Sequence, residues 1–147
     1  MLTFKISRTS FLERRKIFEL SIDIENFANL MPKYFRSLQI TDKINSEIFV
    51  DETLSFLGIT QKVQTKHKIL EPNIHEIHIL SGPLRGSSFI EYYDEFNDGT
   101  KIEIDVLLKF NGFFKILYPM KLLIEKKINK IMDEFVQSCE NHQKVFA

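Results

Sequence analysis

Residues 59–80, ITQKVQTKHKILEPNIHEIHIL, and 87–110, SSFIEYYDEFNDGTKIEIDVLLKF, decide the fold. Each holds two runs of alternating apolar and polar residues around a turn signal, Glu71-Pro72-Asn73 in the first and Asn97-Asp98-Gly99 in the second. A period of two places one apolar face on a strand, so both segments read as β-hairpins. Pairing arithmetic sets the register. In the first hairpin a two-residue loop would put Lys66 and Lys68 beside Ile79 and Ile77. A three-residue loop over 71–73 instead aligns Thr65 with Ile79, His67 with Ile77 and Lys68 with Glu76, which keeps apolar groups together and pairs opposite charges. In the second, a three-residue loop with Gly99 left-handed aligns Tyr92 with Ile104, Ile90 with Val106 and Glu95 with Lys101. The expected apolar face is then Ile77, Ile79, Ile90, Tyr92, Ile102, Ile104, Val106 and Leu108.

Working outward, residues 37–110 read as six strands in series: 37–44, 47–56, 59–70, 74–80, 87–96 and 100–110. Before them, residues 2–6 alternate as a short strand. Ser10 stands three residues ahead of Glu13, a capping-box spacing for a helix carrying Ile17, Phe18 and Ile22. Asp23 reads as a second N-cap, for a short helix ended by Pro32. At the other end, 119–140 reads as one long helix. Leu117, Met120, Ile124, Ile128, Ile131, Phe135 and Cys139 share its apolar stripe, and Pro119 suits its first turn.

Composition narrows the class. The chain has 147 residues, 44% hydrophobic and 27% charged, which suits one globular domain spanning 1–147. Twenty basic and twenty acidic residues cancel, so no bulk positive field would hold nucleic acid. One cysteine, Cys139, leaves no internal disulfide or cysteine zinc site and fits a reducing, cytoplasmic compartment. No secretory h-region is visible at the start. The longest mostly apolar run, 113–124, is broken by Lys115 and Lys121 and falls short of the ~20 residues that span a bilayer.

An antiparallel sheet with one apolar face and a long striped helix bury their apolar surfaces against each other. The expected class is α+β: a curved sheet of about seven strands around the C-terminal helix, with two short helices after the first strand. With that architecture in place, the chain resembles the START/SRPBCC superfamily, whose fold is the helix grip. KISRTSFLERRKIFEL (5–20) looks like the family's first strand and helix, and SIDIENFANLMPKYFRSLQI (21–40) like its link to the second strand. SGPLRGSSFIEYYDEFNDGTKIEIDVLLKF (81–110) is similar to the block found in the polyketide cyclase and coenzyme-Q-binding branch. The resemblance implies a cavity between sheet and helix that holds an apolar small molecule: a lipid, an isoprenoid quinone or a polyketide-like compound.

The strand walls of that cavity are expected from Thr65, His67, Ile77, Ile79, Ile90, Tyr92, Ile102, Ile104 and Val106. The helix wall is expected from Met120, Ile124, Ile128 and Ile131, with Arg85 at the mouth, where its fork would suit a ligand carboxylate. His67 and Tyr92 are either core groups satisfied by a neighbour, or groups that orient a ligand. As acid and base they would serve a cyclase or dehydratase on the same scaffold. His75 is a diagonal neighbour of His67. His75 and His78 form H-x-x-H, but on a strand their rings point to opposite faces, so no metal site is expected. No cofactor motif is present. Lys121, Lys126, Lys127 and Lys130, beside Phe113, Phe114, Ile116 and Leu117, either form a solvated helix face or make transient membrane contact. A third reading is a protein-interaction module, which would show a collapsed cavity and an apolar patch outside it.

Overall fold

A computed structural model describes residues 1–56 and 58–146. The chain runs β1 (Leu2–Ser10), α1 (Arg14–Ile22), α2 (Ile24–Leu30), β2 (Phe35–Ile44), β3 (Glu47–Phe56), β4 (Ile59–Leu70), β5 (Ile74–Ile79), β6 (Ser88–Phe96) and β7 (Gly99–Leu108). A 3-10 helix (Gly112–Met120) then leads into α3 (Lys121–Phe146). The seven strands form one antiparallel sheet in the order β1-β7-β6-β5-β4-β3-β2. β1 and β2 are consecutive in sequence but occupy opposite edges, so α1 and α2 carry the chain from one edge to the other. The open sheet, the short helix pair and the long closing helix make this the helix-grip arrangement.

β1 runs four residues further than its apolar alternation. Arg8 and Ser10 continue its inward phase because α3 supplies polar partners for them. Arg8 Nε donates to Asp133 Oδ1 at 2.5 Å, and Ser10 Oγ donates to Glu140 Oε2 at 2.7 Å. Ser10 is therefore not the α1 cap; that position is Glu13, with no side-chain capping bond. Asp23 does hold the N-cap position of α2. Pro119 lies in the 3-10 helix rather than in α3, where its fixed φ is equally at home.

The first hairpin takes the three-residue loop: Thr65 faces Ile79, His67 faces Ile77 and Lys68 faces Glu76. The second does not. Phe96 pairs with Gly99, Tyr93 with Ile102 and Glu91 with Ile104, one residue out of the expected register. The left-handed residue of this turn is Asn97, at φ 54°, not Gly99. Gly99 is needed for another reason, since a Cβ there would stand 2.1 Å from the Ser10 carbonyl oxygen. A one-residue slip turns every side chain of a strand over. Phe89, Glu91 and Tyr93 thus face inward, and Ile90 and Tyr92 face out.

α3 lays Ile124, Ile128, Met132, Phe135, Val136 and Cys139 into a core shared with Ile6, Ile102, Ile104 and Val106. These positions recur at helical spacing along the stripe. Tyr93 is fully buried against Phe18 of α1, their rings edge to face with centroids 5.6 Å apart.

Candidate functional site

The curved sheet and α3 do not mesh completely. Between them lies a cavity of about 210 Å³. Most of its lining is apolar. Phe27 enters from α2 and Met31 from the residue that ends it, Ile131 and Phe135 from α3, and Phe114 and Leu117 from the 3-10 helix.

Of the wall residues expected from sequence, Thr65, His67, Ile77, Ile79, Ile104, Ile128 and Ile131 line this space. Ile102, Val106 and Ile124 lie on the inner side but are packed solidly in the core. Ile90 and Tyr92 sit on the outer face of β6, placed there by the slip. Met120 ends the 3-10 helix and is 40% exposed, because α3 begins one residue after it and its stripe starts at Ile124. Arg85 is exposed in the 81–87 turn, beside Leu84, which does line the cavity.

One wall of the cavity is polar and buried. Glu52 of β3, Thr65 and His67 of β4, His75 of β5 and Glu91 of β6 are inward residues on four neighbouring strands. Glu52 Oε2 accepts from the Thr65 hydroxyl and meets His67 Nε2 at 2.9 Å. His67 Nδ1 meets His75 Nε2 at 2.9 Å, and His75 Nδ1 stands 3.3 Å from Glu91 Oε1. The Tyr93 hydroxyl donates to the same Glu91 oxygen at 2.8 Å. The result is a run of close polar contacts from Glu52 through His67 and His75 to Glu91 and Tyr93, hydrogen-bonded at every step except His75–Glu91. His78, three residues from His75, faces the other side of β5 and pairs with Glu76.

Burial, with Glu91 beside it, pushes the Tyr93 phenol well above its ordinary range. Tyr34, at the cavity edge, is pushed up to about 12 by burial and by the neighbouring Glu134. Burial likewise raises the Cys139 thiol, which keeps it in its unreactive form.

Sequence reasoning missed both carboxylates. Glu52 was legible, since it holds the inward phase between Val50 and Leu54 of β3, where an acid is out of place. Glu91 was hidden by the register error. The aromatic lining from α2 and the chain after it, Phe27, Tyr34 and Phe35, gives no local signal, because it reaches the cavity only through the crossing from β1 to β2.

No protein-family model matches this chain, and no curated protein matches it by sequence. Solved structures do. TTHA0849 from Thermus thermophilus superposes with a TM-score of 0.81 at 10% identity, covering 95% of this chain and 98% of that one. Ara h 8.0201 matches with a TM-score of 0.72 at 19% identity, over 95% of each chain. The Zhui aromatase/cyclase from Streptomyces sp. R1128 matches with a TM-score of 0.75 at 8% identity, over 97% of this chain and 93% of its own. Likeness at such low identity reports shape rather than chemistry, and that shape is one: the chain has the helix-grip fold of the START/SRPBCC superfamily.

Proposed function

We propose that this protein binds an apolar small molecule in the cavity between sheet and α3. The carrying observation is the unfilled space itself, about 210 Å³ with aromatic and aliphatic walls and one polar side. Ligand sites generally have this make-up. A dry cavity of about 150 Å³ already holds benzene, so this one suits a compact ring compound. A full lipid or isoprenoid tail would have to project through the mouth. Burial of the ligand would supply the driving force at ~25 cal/mol per Å². Native mass spectrometry of the purified chain, alone and with added aromatic compounds, tests the proposal. Persistent absence of any bound apolar compound overturns it.

The polar side favours a second reading, an acid–base enzyme of the cyclase or dehydratase type. The Zhui aromatase/cyclase shares the fold. Of the two groups weighed for such a role, only His67 faces the cavity; Tyr92 lies on the opposite face of the sheet. Loss of turnover in His67→Ala, with ligand binding retained, would favour this reading over the carrier.

An open cavity weighs against the interaction-module reading. Beside the cavity, however, Phe113 and Leu122 are 80% and 81% exposed, with Ile116 and Leu123 near them in sequence. Lys115, Lys121 and Lys126 are exposed on the same stretch. Among the described residues no helix is long and apolar enough to cross a membrane. The mixture of apolar and basic groups fits transient contact with an anionic bilayer surface during ligand pickup. Co-sedimentation with anionic vesicles tests this contact.

A further inference from the structure

One side of the cavity sets two carboxylates, Glu52 and Glu91, around two imidazoles, with no lysine or arginine among the described residues beside them, and from this we infer that the ligand is an apolar amine, bound as its cation. The inference rests on the binding function proposed above and names the chemical class of its ligand.

Three links join the four titratable groups: Glu52 to His67, His67 to His75, and His75 to Glu91. Each link needs one proton between its two atoms. Two ionised carboxylates and two neutral imidazoles supply only two. One link then faces lone pair to lone pair and the chain carries two negative charges. A third proton fills that link and still leaves one negative charge. The weakest of the three links is the last: His75 Nδ1 is buried 3.3 Å from Glu91 Oε1 and makes no hydrogen bond. Tyr34, Ser55 and Gln61 also line the cavity but make no hydrogen bond to this chain of groups, and the three hydroxyls beside it do not help. Thr65 already donates to Glu52, Ser21 to the Phe18 carbonyl, and Tyr93 to Glu91. Their donor capacity is spent, and Ser21 and Thr65 present only lone pairs to a guest.

No lysine or arginine occurs among the described residues lining the cavity. A carboxylate or phosphate ligand would therefore meet like charge in a low-dielectric site, where repulsion is strongest. An ammonium group supplies both missing elements, positive charge and hydrogen-bond donors. Hydrogen bonds to such charged groups are the strong ones. The aromatic lining adds to this. Phe89 stands two residues from Glu91 on the same face of β6, and Phe27 and Phe35 meet edge to face 4.9 Å apart across the cavity wall. Ring faces attract organic cations.

The test, on the full chain, compares three probes that share a phenyl ring on a short two-carbon chain and differ in the end group: 2-phenylethylamine, phenylacetate and ethylbenzene, titrated by two-dimensional amide NMR. The amine should bind at least about tenfold more tightly than either other probe. Glu52→Gln and Glu91→Gln should each remove most of that preference and leave ethylbenzene unchanged. If either variant fails to fold, the three-probe comparison on the unaltered chain still decides. Ethylbenzene or phenylacetate binding as well as the amine overturns the amine assignment and leaves the apolar-binding function standing. If none of the three shifts the cavity resonances, both fall.

Discussion

The inward placement of Tyr93 and the outward placement of Tyr92 are tested by two single-atom changes. Tyr93→Phe keeps the ring, so its contact with Phe18 survives and no cavity opens. What is lost is the hydroxyl that donates to Glu91 at 2.8 Å from a fully buried position. A hydrogen bond to a charged group contributes about 1.5–3 kcal/mol. In a domain of this length each kcal/mol moves Tm by about 2–4 °C, so Tyr93→Phe should lower Tm by roughly 3–12 °C. Tyr92 lies on the outer face of β6, and a surface change of this kind stays within about 0.5 kcal/mol. Tyr92→Phe should therefore shift Tm by less than about 2 °C. Thermal unfolding followed by circular dichroism, both variants side by side, decides the matter. Equal losses, or a larger loss for Tyr92→Phe, would refute the register and with it the inward position of Glu91.

Three further outcomes follow from particular contacts. Gly99→Ala would place its Cβ 2.1 Å from the Ser10 carbonyl oxygen and 3.1 Å from Phe11 Cα, so β7 must move off β1. Urea unfolding should show a loss of about 1–3 kcal/mol or more. Tyr34 keeps its proton up to about pH 12 when folded but only to about 10 when unfolded. Its contribution to stability is thus complete below pH 10 and disappears as pH rises through 12. Tyr34→Phe should flatten the alkaline fall in unfolding free energy across that window. Finally, Leu122→Glu combined with Leu123→Glu should abolish co-sedimentation with anionic vesicles and leave Tm unchanged, since both side chains are exposed.

The sequence reached the fold because most of its signals are local. Alternation over 59–70 and 74–79, the Asp23 cap and the Ile124-to-Cys139 stripe each depend on neighbours in the chain, and the structure contains all of them. What failed depended on contacts distant in sequence. The turn at 97–99 offered two left-handed candidates, Asn97 and Gly99, and local rules favour glycine. The structure puts the left-handed residue at Asn97; Gly99 answers a different demand, since the Ser10 carbonyl oxygen occupies the space where a Cβ at 99 would stand. That single misplacement moved Ile90 and Tyr92 into the expected site and Glu91 out of it. Arg8 and Ser10 were lost to β1 for a similar reason, as their partners Asp133 and Glu140 lie more than a hundred residues away.

The site gives folding no advantage. At about 24 cal/mol per Å³, a cavity of 210 Å³ costs roughly 5 kcal/mol of lost packing. That approaches the whole net stability of an ordinary domain, about 5–15 kcal/mol. The Glu52–His67–His75–Glu91 chain, buried except at partly buried Glu91, adds a second cost, because burying charge is seldom repaid by pairing and well-packed apolar residues would often be more stable. Leucines at 52, 67, 75 and 91 would remove the charge with little change of side-chain volume. Both costs fall on the same space, and both diminish when a guest with an apolar body and a donor-bearing cationic end occupies it. A ligand held at about a hundred times its Kd returns about 2.7 kcal/mol by mass action. The two costs thus coincide in a space where a bound molecule would offset both, as the binding role proposed above requires.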